Sequence, residues 1–224
     1  MKKSKLLVLT LISALLLAIT GCGANNIPAI TETAETFLQA ADDADMDKIR
    51  ETCTESAIAQ MGLKPLDATY NADSYFAGMG LDKSSFTEDA QNAVAEYGKY
   101  YADTLIQGYS IGEVTEKNGV GSVTATITTY SKETLQELVG DDFKAALTTL
   151  INEYTDENLN DLSSIYLNEG EEAMTIKIFN DIMTDIMKTL KQTLDGLETV
   201  ETTVTLTVEK VDGNWMVTGA TVVE

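Results

Sequence analysis

The sequence predicts an α+β fold in which helices pack on a curved antiparallel sheet, with extra helices inserted between two β-hairpins. Three observations carry that prediction. Apolar residues recur three and four apart through the first hundred residues of the non-leader chain. An Asn118-Gly119 pair then sits between two runs whose period has changed to near two, which is a hairpin signal. Near the end, Val200, Thr202, Val204, Leu206 and Val208 alternate with Glu201, Thr203, Thr205, Thr207 and Glu209, so that one strand face is buried and the other wet.

The chain starts with Lys2, Lys3 and Lys5 ahead of the apolar run Leu6 to Thr20. That run is shorter than the ~20 residues of a spanning helix and matches an export signal. It ends in Ile19-Thr20-Gly21-Cys22, followed by the polar Gly23-Ala24-Asn25-Asn26. This stretch resembles the lipobox of bacterial lipoproteins. The resemblance implies cleavage between Gly21 and Cys22, a diacylglyceryl group on the Cys22 thiol, and a protein held on the outer face of the cell membrane. Residues 1–21 would then be removed, 22–29 would form a tether, and 30–224 a single α+β domain. An ordinary secretory signal with a chance cysteine is the alternative.

Ile30, Ala34, Phe37, Leu38 and Ala41 form the stripe of a first helix ending near Asp42. Asp45 can cap a second helix holding Met46, Ile49, Cys53 and Ala57. Residues 62–84, punctuated by Gly62, Pro65, Gly78 and Gly80, read as irregular. Ser85 and Glu88 have capping-box spacing ahead of the stripe Phe86, Ala90, Val94, Tyr97, Tyr101 and Leu105. Strands follow over Tyr109 to Glu116 and Val120 to Ser131, the second with Val123, Ala125 and Ile127 inward. The helical insertion covers about 132–197. Its first part carries Leu135 to Tyr154 across a kink at Gly140, and a polar connection spans 155–170. A long helix then runs Glu171 to Leu197 on Ile176, Phe179, Met183, Ile186, Leu190 and Leu194. Asp212-Gly213 turns the last strand into Asn214-Trp215-Met216-Val217.

Two pieces together, Ala34 to Ala40 leading into Ala44 to Lys48, and Val208 to Val217 with its Gly213-x-Trp215, resemble the opening helix pair and closing hairpin of nuclear transport factor 2-like (cystatin-like cone) domains. The resemblance covers about residues 29–60 and 200–222. It implies a cone whose open end can hold a small apolar molecule. Its members range from isomerases and dehydratases to partner-binding modules, so the fold by itself selects no function.

Composition narrows the function classes. The net charge is −21, and without the leader 12 basic residues face 36 acidic ones, a net −24. Such a surface repels phosphate backbones, which argues against nucleic acid as a partner. The chain has no histidine, which removes Ser-His-Asp, Cys-His and HExxH arrangements. Asp43, Asp45 and Asp47 occupy the first three ligand positions of a calcium loop, but Lys48 and Thr54 stand where glycine and a bidentate glutamate are needed. Asp156 to Asp161 lacks the same two features. No metal site, cofactor or catalytic residue is therefore assigned. With Cys22 lipidated, Cys53 is the remaining thiol and reads as structural. Met174, Met183, Met187 and Met216 could line a ligand surface, with core packing as the alternative for the first three.

The expected function is binding of a small ligand or an envelope protein at the membrane surface, without catalysis. One alternative is an acid/base isomerase or hydrolase using a carboxylate beside Tyr97, Tyr101, Tyr109 or Tyr130 in an apolar cavity. The other is an interaction module with a filled core. A deep apolar pocket holding a buried carboxylate would favour the enzyme. A filled core with an exposed apolar patch would favour the module.

Overall fold

A computed structural model of the protein describes residues 26–80 and 82–223. Gly21 and Cys22, the expected cleavage and lipid-attachment residues, lie outside them. Helix α1, Ile27–Asp42, begins three residues before the expected start, because Pro28 falls in the first turn, where its missing N–H has no intrahelical partner to lose. Helices α2 (Met46–Thr52) and α3 (Glu55–Met61) follow, separated by the extended pair Cys53 and Thr54. The expected single helix through Cys53 is thus two. Cys53 ends one and Thr54 starts the next, the Thr54 hydroxyl accepting the N–H of Ala57 at 3.3 Å.

Residues 62–84 are more ordered than their glycines suggest. Two short 3₁₀ turns, Lys64–Leu66 and Lys83–Ser85, flank helix α4, Ala68–Met79. Asp67 caps α4 by accepting the N–H groups of Thr69 at 2.9 Å and Tyr70 at 3.2 Å, and Gly80 closes it at φ 69°. Helix α5, Glu88–Leu105, is capped by Thr87 rather than Ser85. It crosses α4 so closely that a Cβ on Gly98 would sit 2.9 Å from the carbonyl oxygen of Ala68. Asn71 fastens the crossing, donating to the carbonyls of Pro65 at 2.7 Å and Gly98 at 3.2 Å.

Leu105 runs directly into β1, Ile106–Lys117, which turns through Asn118 and Gly119 into β2, Val120–Tyr130. Helices α6 (Lys132–Glu137), α7 (Asp141–Glu157), α8 (Leu159–Glu169) and α9 (Glu171–Gly196) intervene before β3 (Thr199–Val211) and β4 (Asn214–Val222). Helix α8 replaces the polar connection expected over 155–170. Leu162 faces inward from it, and Gly170 at φ 95° ends it. Among the described residues the strands form one antiparallel sheet in the order β1-β2-β3-β4. Two hairpins therefore lie side by side, with the helical segment joining the central pair. Val123 faces Leu206 and Ala125 faces Val204 across it.

Helix α1 crosses the inner face of this sheet and touches all four strands, while α2 and α3 pack on β4. Gly121 of β2 permits that crossing, since a Cβ there would lie 2.7 Å from Ile30 Cγ2. Val123, Leu206, Val208 and Val217 are at most 1% exposed beneath the helices. The inner face loses cover toward the start of β3, where Val200, expected inside, is exposed. The other sheet face pairs Thr124 with Thr205 and Thr126 with Thr203, a half-exposed hydroxyl surface. On the helical side, α5, α7 and α8 pack around α9, whose buried side is Ile178, Ile182, Met183, Ile186, Met187, Leu190 and Leu194. Ile176, in phase with Met183, sits half-buried in the second turn of the helix. A continuous cluster of buried side chains links the two regions.

Candidate functional site

The residues that could have formed an acid/base site are dispersed. Tyr97 and Tyr101 are half-buried with ring centroids 6.2 Å apart, and the Tyr97 hydroxyl is buried without a hydrogen-bond partner. Tyr109 donates to Gln39 at 3.2 Å, tying β1 to α1. Tyr130 accepts from Gln107 at 2.9 Å. Among the described residues none of the four pairs with a carboxylate by hydrogen bond. Two other tyrosines do, for Tyr100 donates to Asp195 and Tyr154 donates to Asp181. Burial opposes charge on Asp181, but hydrogen bonds from Lys177 and Tyr154 and the Lys177 charge hold its carboxyl below the usual range. These pairs join distant parts of the chain on the surface of the helical side, and no local spacing announces them. No charged or polar residue is buried among the described residues.

The acidic run 43–47 is consumed by local structure. Asp43 accepts from Gln39 at 2.9 Å, Asp45 caps α2 by accepting the Lys48 N–H at 3.0 Å, and Asp47 pairs with Arg50 at 3.4 Å. Among the described residues no group of three or more His, Cys, Asp or Glu is placed to hold a metal ion. A groove of about 390 Å³ opens between the starts of α2 and α4. Arg50 fills its charge requirement, reaching Asp67 at 3.6 Å and Glu55 at 3.8 Å as well as Asp47.

Cys53 is 1% exposed. Burial, followed by the charge of Glu55, pushes its thiol up to about 12, far from the thiolate that nucleophilic or redox chemistry needs. Met183 and Met187 are buried core residues, as helical spacing suggests, and Met216 is half-buried in β4.

The remaining feature is apolar. A groove of about 320 Å³ lies between the end of α7, one side of α8 and the start of α9, formed chiefly by Leu159, Leu162, Tyr166, Leu167 and Met174. Leu162 is its floor at 2% exposed, whereas Leu159, Tyr166 and Leu167 stand 59%, 52% and 81% exposed. Exposed large apolar side chains grouped around a concave surface mark interaction sites more often than scattered ones do. Sequence reasoning misses it because residues 155–170 read as a polar connection. The signal was present in Leu159, Leu162, Ile165 and Tyr166, a helical stripe among acids.

No protein-family model and no curated protein matches this chain. Among solved structures it is similar to a Bacillus subtilis strain 168 protein, YcdA, provisionally assigned as a lipoprotein. The match covers 86% of this chain at 16% identity with a TM-score of 0.38, and spans about half, 51%, of that protein. No helix among the described residues is long and apolar enough to cross a membrane.

Proposed function

We propose that this chain is a lipid-anchored extracytoplasmic protein that binds a protein partner and performs no catalysis. The leader is removed at Gly21, Cys22 carries the diacylglyceryl anchor, and residues 30–224 act as one binding domain of the nuclear transport factor 2-like type. Helix α1 lying over a four-stranded sheet supports that family reading. The observation that carries the partner reading is the pairing of an inner sheet face filled beneath α1 to α3 with the exposed Leu159, Tyr166 and Leu167 of α8. A protein that bound a small apolar molecule in a cone would leave that face open, but Val123, Leu206 and Val217 are packed under α1 to α3.

Two measurements test the reading. Fatty-acid labelling of cells should mark the wild-type chain and leave a Cys22→Ala variant unmarked; label persisting on the variant would overturn the anchor. A photoreactive residue at position 167 should give a discrete cross-linked product in cells, and one at Glu88 should not. Absence of any product at 167 would overturn the partner reading.

A further inference from the structure

We infer that the α7-α8-α9 groove receives a cationic amphipathic helix, a proposal that rests on the partner reading above and gives the partner its chemistry. The groove supplies an apolar floor and walls in Leu159, Leu162, Tyr166, Leu167 and Met174. The stretch of chain that forms it is of one sign. Glu153, Asp156, Glu157, Asp161, Glu169, Glu171 and Glu172 are all exposed, and residues 153–172 contain no lysine or arginine. The next lysine along α9, Lys177, is already paired with Asp181.

An apolar groove in so acidic a stretch complements a helix with a leucine-type stripe at i, i+3, i+4 and i+7 flanked by Lys or Arg. The same local charge discriminates against other occupants. A second copy of this chain would bring the identical carboxylates face to face, and an anionic lipid surface would be repelled over about a Debye length, ~8–10 Å in physiological salt. A neutral apolar ligand would use the floor and leave the surrounding charge without a role.

The test uses the protein in the form the cell makes, held in phosphatidylcholine nanodiscs, with empty nanodiscs as baseline. The probe is a labelled Leu/Lys amphipathic peptide of about 15 residues, read by fluorescence anisotropy. The expected result is saturable binding that weakens with added salt and is absent for the matching Leu/Glu peptide. Replacing Leu159, Tyr166 and Leu167 by serine should weaken binding about tenfold or more. Glu157→Gln, Asp161→Asn and Glu169→Gln together should weaken it while flattening the salt dependence. Thermal melting verifies folding, and if the triple serine variant does not fold, Leu167→Ser alone decides, since its side chain is the most exposed of the three.

Binding that is unchanged by the groove substitutions would show general attraction to an acidic surface and overturn the inference. No binding of the Leu/Lys peptide would overturn it too, and the cross-link at position 167 then separates the cases. A product there leaves the partner reading standing with a different partner chemistry; no product removes both.

Discussion

The backbone N–H of Thr54 donates to the carbonyl of Val217 at 3.0 Å, joining the α2-α3 junction to β4. Beside it, Cys53 makes a parallel bridge with Val217, so two extended residues extend the sheet in place of a continuous helix. Thr54→Pro removes the N–H and the capping hydroxyl without straining the backbone, because Thr54 already has φ −73° and Cys53 is extended at ψ 142°. Expected is a loss of roughly 1–3 kcal/mol in denaturant titration, with Thr54→Ser close to wild type.

The Cys53 thiol should be inert in the folded protein. With its ionisation pushed up to about 12, only about one molecule in ten thousand holds the thiolate at pH 8. A Cys22→Ala chain treated with a chromogenic disulfide should release colour only after denaturant is added. Rapid release from the native protein would contradict the burial of Cys53 beside β4.

Gly121→Ala places a methyl group against Ile30, whose side chain is fully buried and has nowhere to retreat. Overpacking of this kind costs about 1–3 kcal/mol. Ile30→Val should recover part of the loss in the double variant, a coupling that a melting-temperature cycle measures. Additive effects would mean that α1 shifts as a body.

Stability should fall on the alkaline side. Burial pushes Tyr75 up to about 12 and raises Tyr97 further, while burial and then Asp195 push Tyr100 up to about 12. In the unfolded chain these phenols ionise near 10. Between about pH 10 and 12 the unfolded chain therefore binds fewer protons than the folded one, and unfolding free energy declines as pH rises. The contribution is complete below the unfolded value and is lost through the folded value. Urea midpoints measured from pH 8 to 11.5 should show this decline. Tyr97→Phe, which removes an unpartnered buried hydroxyl, should make it shallower and leave neutral-pH stability within about 1 kcal/mol of wild type or higher.

Elements with a strong period or a specific turn were legible in the sequence: α1, α5, α9 and both hairpins occupy the ranges that their stripes and the Asn118-Gly119 and Asp212-Gly213 turns indicate. Helices α4 and α8 were not. In α4 the apolar residues are too few to show a stripe, and its closing Gly80 reads in the sequence as loop punctuation. In α8 the stripe was obscured by surrounding acids and by side chains that stay exposed on folding. The break at Cys53 depends on β4, a partner far away in sequence, so no local signal could place it. The candidate groove was hidden for the same reason as α8. Its walls come from three helices, and its distinguishing property, apolar groups left in water, exists only in three dimensions.

The placement of α6 to α9 between β2 and β3 also has a kinetic consequence. Tyr130 pairs with Thr199 although residues 131–198 lie between them, so the central seam is the most remote of the three pairings between strands β1 to β4. The hairpins can close locally within microseconds, but the central seam must await return of the chain through four helices, and loop-closure entropy makes such non-local pairing slow. During synthesis β2 leaves the ribosome with its inner face and one edge unpaired until β3 follows. The hydroxyl-rich outer face, with threonines at 124, 126 and 128, leaves that waiting strand sticky on one side only.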